Sequence, residues 1–136
     1  MSISILGAGA FGTSLAIALG KKNHVTLWAR DSAQVYNMQA DRENKQRLPD
    51  ARFPDNLEVT ASMDDAVKND LILIAVPMQL LGNFLSDNSQ ILAGKQLVAC
   101  CKGIDRATGR RPVDLIETLI PSASAAVLTG PSFAAD

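Results

Sequence analysis

Short, wholly apolar bursts alternate along this chain with longer stretches in which apolar residues recur every three or four positions. Ile3 to Leu6 is the first burst and reads as a buried strand; from about Phe11 to Lys21, Leu15, Ala16 and Leu19 repeat at helical spacing. "HVTLWAR" (24–30) reads as a second strand, and Asp31-Ser32 as the cap of a helix running to about Ala40. Residues 41–56, "DRENKQRLPDARFPDN", carry mixed charge and two prolines, which predicts an ordered surface loop. "LEVT" (57–60) is a short strand, and "DLILIAVP" (70–77) is apolar on both faces, as a central parallel strand must be, with Pro77 ending it. A helix over 78–92, a strand at "QLVACC" (96–101), a helix over 112–120 opened by Pro112, and a last strand at "AAVLTG" (125–130) complete the pattern. Alternation of this kind predicts an α/β fold with a doubly wound, mostly parallel sheet and helices on both faces.

Between the first strand and the first helix lies "GAGAFG", in which Gly7, Gly9 and Gly12 fall in the pattern G-x-G-x-x-G. Alone, such a turn is weak evidence. Strand, glycine turn, helix and second strand within about thirty residues supply the βαβ context that makes it a Rossmann-type dinucleotide fingerprint. Gly7 permits the tight turn, Gly9 lets a pyrophosphate approach the backbone, and Gly12 lets the helix lie close to the strand. The helix amides then face the phosphates.

Ligands of such sheets bind beyond the carboxyl ends of the strands, so the residues there are the candidates. Arg30 follows the second strand, about twenty residues beyond the fingerprint, where NAD enzymes place an acidic residue on the ribose 2′-hydroxyl. A guanidinium there pairs with a 2′-phosphate, which points to NADP(H) ahead of NAD(H), while Asp31 beside it keeps NAD(H) open. Lys102, before Gly103, places an ammonium at the cleft edge, where it can hold an anionic substrate. Gly130, Pro131 and Ser132 offer amides and a hydroxyl at the last strand end, and with Lys102 they make a phosphate pocket. His24, the sole histidine, starts the second strand and so lies at the opposite end from the cleft. Trp28 reads as sheet packing, and Cys100 and Cys101 as inert strand thiols. The charged residues of 41–52 show no metal-ligand spacing, and no metal is implied.

The bulk numbers narrow the partners. A chain of 136 residues with 47% hydrophobic and 20% charged residues has the size and mixture of one globular domain. A net charge of −1 argues against a nucleic-acid partner. The adjacent cysteines form no disulfide framework, the start carries no signal-peptide pattern, and no apolar run reaches membrane-spanning length, so a cytoplasmic location without membrane insertion is expected.

Taken in order, "GAGAFGTSLA", "VTLWAR", "LP" at 48–49, "AVPMQ", "KGI" and "TGPSFA" resemble the bacterial-type NAD(P)-dependent glycerol-3-phosphate dehydrogenases along the whole chain. The resemblance implies reversible hydride transfer between NAD(P)H and dihydroxyacetone phosphate, giving sn-glycerol 3-phosphate for phospholipid synthesis. It implies cofactor contacts at Ala10, Phe11, Arg30, Lys102 and Ala134, and substrate contacts at Lys102, Gly130 and Ser132. Two departures stand out: Cys101 where the family often has threonine, and Arg47 where an aromatic residue commonly precedes Leu48-Pro49. The family's catalytic lysine and helical substrate domain lie beyond Asp136. Residues 1–136 are therefore expected to be an NAD(P)-binding domain incomplete at its C-terminal end and inactive alone, drawn from a protein compatible with a homodimer. A non-catalytic nucleotide-sensing module, or a related reductase of another anionic substrate, are the competing readings; fold alone does not separate them.

Overall fold

The computed structural model describes residues 1–129. Its centre is a six-stranded sheet. β1 (Ser2–Leu6) lies between β2 (His24–Trp28) and β6 (Leu71–Ile74); β5 (Leu57–Thr60) extends the sheet beyond β2, and β7 (Gln96–Ala99) and β8 (Ser124–Val127) extend it beyond β6. Every pairing in this sheet is parallel. Numbered within the sheet alone, the spatial order is 3-2-1-4-5-6, the doubly wound arrangement in which the chain reverses direction across the sheet beside β1.

Alternation along β1 divides the core in two. Ile3 and Ile5 face α1 (Ala10–Gly20) and α2 (Ser32–Asp41), packing with Val25, Leu27, Ala16, Val35 and Met38. Leu6 faces the other way, toward α3 (Met63–Ala66), α4 (Met78–Asp87) and α5 (Pro112–Leu119), with Ile72, Ile74, Leu81 and Ile116. Ser4, fully buried on that second face, donates its hydroxyl to the Ala66 carbonyl and accepts a hydrogen bond from Asn69 Nδ2 at 3.1 Å. A buried hydroxyl is tolerated because both its roles are filled.

Several boundaries differ from the sequence expectations. The stretch 41–56 is not a plain loop: β3 (Glu43–Asn44) and β4 (Leu48–Arg52) form an antiparallel hairpin outside the main sheet, and Asn44 and Phe53 are buried. Arg42 anchors its base, donating through one guanidinium nitrogen to the carbonyls of Pro54 and Leu57, both at 2.8 Å. The helix expected to reach residue 92 ends at Asp87, because Asn88 Nδ2 turns back to the Phe84 carbonyl and competes with the helical ladder. β2 stops at Trp28, so Arg30 lies past the strand end rather than in it. Cys100 and Cys101, expected in a strand, instead follow β7: the ladder closes with Cys100 N–H on the Ile74 carbonyl, and the neighbouring β6 has already ended. The expected strand at 125–130 runs from Ser124 to Val127.

Two expected outcomes follow from this packing. A methyl group at Gly12 would sit 2.0 Å from the Gly7 carbonyl oxygen. Backbone cannot rotate away, so Gly12→Ala should lose about 3 kcal/mol, at the upper end of overpacking costs, measured as a lowered urea midpoint. Burial pushes the Cys100 and Cys101 thiols up from 9.0 to about 11. The unfolded chain therefore releases these protons first, so stability should fall as the pH rises from about 9 to about 11. Replacing both cysteines with alanine should flatten that part of the stability profile.

Candidate functional site

The carboxyl ends of the main strands open onto one cleft of about 1680 Å³. Its floor is the glycine turn between β1 and α1. Gly7 has φ +119°, a region that side chains other than hydrogen rarely occupy, and a Cβ there would lie 2.6 Å from the Ala75 carbonyl oxygen. Gly12 is held by its approach to Gly7. Both glycines thus answer to the protein's own packing.

Gly9 does not. Among the described residues, no atom beyond its chain neighbours and the backbone of α1 lies within 4 Å of the place a Cβ would take, and its φ of −74° is open to any residue. It occupies the N-cap of α1, where no side chain caps the helix. Asp31 caps α2 through the Ala33 N–H at 2.9 Å, Ser62 caps α3, and Asp114 closes the first turn of α5 onto the Arg111 N–H at 3.2 Å, whereas α4, which opens at Pro77 on the same cleft, shares with α1 the lack of a side-chain cap. At α1 the first amides, those of Ala10, Phe11 and Gly12, are left to the cleft, together with the positive end of the helix dipole. This is a cradle for an anion, and its one unexplained missing side chain lies where the anion would rest.

The other sequence candidates divide by what is described. Arg30, exposed, borders the cleft just beyond β2, next to Asp31 and Gln34. Asp31 has one carboxylate oxygen engaged in capping α2. Phe11, 54% exposed despite its size, presents an apolar ring beside the glycine turn. Lys102 reaches the same cleft from the segment after β7, followed by Gly103 at φ +92°. Thr129, the last described residue, also lines it, whereas Gly130, Ser132 and Ala134 lie outside the described residues. His24 sits at the amino end of β2, 3.7 Å from Glu58, away from the cleft as expected. Among the described residues no group of three His, Cys, Asp or Glu side chains could hold a metal ion.

Three cleft features were not legible as such. Trp28 is more than sheet packing: it lines the cleft, with Nε1 on the Ala61 carbonyl at 3.2 Å and its ring 5.9 Å from that of Phe84. Cys100 and Cys101 also border the cleft, and Cys101 Sγ rests 3.1 Å from the Val76 carbonyl oxygen. Their raised pKa values leave them neutral lining groups rather than nucleophiles at ordinary pH. Arg47, in the turn of the hairpin, brings another guanidinium to the cleft wall from a stretch that composition describes only as charged.

The comparisons with known proteins agree with this geometry. Residues 2–136 match the family described as NAD-dependent glycerol-3-phosphate dehydrogenase N-terminus. A glycerol-3-phosphate dehydrogenase, NAD(P)+-dependent by name, from Roseobacter denitrificans is 52% identical over 136 residues, covering all of this chain and 42% of the relative. Its namesake from Ruegeria sp. is 50% identical with the same coverage. The crystal structure of glycerol-3-phosphate dehydrogenase from Coxiella burnetii shares the fold at a TM-score of 0.88 and 30% identity, over 97% of this chain and 41% of that one. The chain thus spans about two-fifths of the length of these relatives. A match over nearly every residue, on a sheet of the right order with the glycine turn at its centre, establishes that the chain belongs to the NAD-dependent glycerol-3-phosphate dehydrogenase N-terminal family.

Proposed function

We propose that this domain binds a nicotinamide dinucleotide across the cleft, and that the whole protein uses it to interconvert dihydroxyacetone phosphate and sn-glycerol 3-phosphate. The observation that carries the reading is Gly9, a helix N-cap with no side chain and, among the described residues, no capping partner and open space where a Cβ would stand. The dinucleotide supplies or takes the hydride when bound. The chain's own residues bind and orient: the amides of Ala10, Phe11 and Gly12 receive the diphosphate, and Phe11 covers an apolar part of the ligand. Lys102, across the cleft, supplies a cation to cofactor and phosphate substrate alike, with Gly130 and Ser132 as further substrate contacts and Ala134 as a further cofactor contact. In this reading the catalytic lysine belongs to sequence beyond Asp136, so residues 1–136 alone are inactive.

NADP(H) is the preferred partner in this proposal. Arg30 borders the cleft beyond β2, where the 2′-phosphate of the adenosine ribose would come, and the neighbouring Asp31 spends one oxygen on the α2 cap. The domain works in the cytoplasm, a reading supported by its two free cysteines and by the absence, among the described residues, of a helix long and apolar enough to cross a membrane.

The whole protein should consume NADPH on addition of dihydroxyacetone phosphate, followed by loss of reduced-nicotinamide absorbance, while residues 1–136 should not. Robust turnover by residues 1–136 would show that the machinery is complete without the proposed lysine. Half a cleft cannot hold the nicotinamide and carbonyl in reacting geometry. Gly9→Val should leave the sheet intact by circular dichroism, since among the described residues nothing beyond the local backbone crowds the Cβ position, yet abolish NADPH binding in calorimetric titration. Arg30→Ala in the whole protein should weaken NADPH about tenfold to a hundredfold relative to NADH, the equivalent of a charge-assisted hydrogen bond. A constant ratio of the two affinities would remove the case for NADP(H).

A further inference from the structure

Asn44 is 1% exposed within residues 41–47, a run otherwise made of charged and polar residues, and it is one of few buried polar side chains in the described residues. It lies in β3, outside the main sheet, and its amide group is fully used. Nδ2 donates to the Ala8 carbonyl at 3.0 Å and to the Thr13 hydroxyl at 2.9 Å, while Oδ1 accepts from the Arg47 N–H at 3.3 Å. Reversing the amide would set its oxygen against the Ala8 carbonyl and its nitrogen against an N–H donor, so the orientation is determined by its neighbours.

The three partners are informative. Ala8 sits between Gly7 and Gly9 in the glycine turn, Thr13 lies in the first turns of α1, and Arg47 is the hairpin residue that reaches the cleft. A trans peptide is planar, with C=O and N–H pointing in opposite directions. Holding the Ala8 carbonyl toward the buried Asn44 amide therefore turns the Gly9 N–H to the opposite side of the peptide, and Gly9 borders the cleft. The bond to Thr13 holds the start of α1 to the same anchor.

Resting on the cofactor reading above, we infer that Asn44 is a positioning residue for dinucleotide binding: it sets the Ala8–Gly9 peptide so that the Gly9 N–H faces the diphosphate, and ties the hairpin bearing Arg47 to that arrangement. Gly9 contributes no side chain, so its amide can be aimed only through the backbone. The hairpin performs that aiming from behind the turn without touching the ligand at Asn44.

The test uses the whole protein and three variants. Asn44→Leu removes both donors, Asn44→Asp keeps the acceptor for Arg47 N–H but places an oxygen against the Ala8 carbonyl, and Ser4→Ala breaks a buried polar contact on the opposite face of the sheet. The KM for NADPH and the inhibition constant of ADP-ribose, which carries a diphosphate, should each rise about tenfold in both Asn44 variants, the loss expected for one well-made hydrogen bond. The KM for dihydroxyacetone phosphate and the inhibition constant of adenosine 2′-monophosphate, which has no diphosphate, should stay within about twofold by the same measure. Ser4→Ala should lower the melting temperature with no change in any of these constants. If Asn44→Leu fails to fold, Asn44→Asp carries the comparison. Equal weakening of ADP-ribose and adenosine 2′-monophosphate, or the same pattern in Ser4→Ala, would reduce Asn44 to a structural residue and overturn the inference while leaving the cofactor reading intact. A wild-type protein that binds neither NADPH nor NADH would bring down both.

Discussion

Three backbone segments meet at Gly7 with no space for a side chain among them. The carbonyl of Ala75, just past β6, stands 2.6 Å from where a Cβ of Gly7 would be, and the Gly7 carbonyl in turn stands 2.0 Å from where a Cβ of Gly12 would be. This mutual approach sets how closely α1 packs on the sheet and where its amino end points. Everything that makes the cleft useful follows from it: the uncapped amides, the open face of Gly9, and the convergence of residues from the ends of β2 and β7 on a single space. Gly7 and Gly12 answer to packing while Gly9 is left open to the cleft, so one short motif mixes packing with an unfilled surface.

Much of this was readable in the residues themselves. Parallel strands buried on both faces announce themselves as apolar runs, and β6 did so in "LILI" and β7 in the "LVA" that follows Gln96. The glycine turn was legible because its context, strand before and helix after, lies within adjacent sequence. What stayed hidden was set by tertiary contact. Cys100 and Cys101 continue an apolar run, and only the early end of neighbouring β6 takes them out of the strand. The hairpin of β3 and β4 carries no strand pattern at all; it is held by the guanidinium of Arg42 and the amide of Asn44, both of which look like solvated loop residues in sequence. Nothing nearby in sequence marks Asn44 as buried, because its partners Ala8 and Thr13 come from the first turn of the fold.

The cleft wall combines rigid and adaptable parts. The glycine turn and the residues after β7 are positioned by the sheet ladder, whereas Arg30 and Arg47 are long, exposed side chains on short connections. Such a division suits a ligand whose diphosphate must be seated in one geometry while its outer groups are gripped by flexible cations. The neutral thiols between them add polarizable surface without charge, so the cationic character of the site rests with the lysine and arginines.

Because β1 is central in the sheet but first in the chain, its two neighbours arrive at very different times during synthesis. β2 follows at once, and with α1, α2, the hairpin and β5 it completes one half of the fold, including the Asn44 anchor. The wall that constrains Gly7 comes from Ala75, in the other half. A nascent chain that has emerged only through β5 therefore has the back of its glycine turn held and the front unopposed. The close wall of the turn is thus completed only by a segment from the second half of the chain, although the three glycines themselves belong to the first.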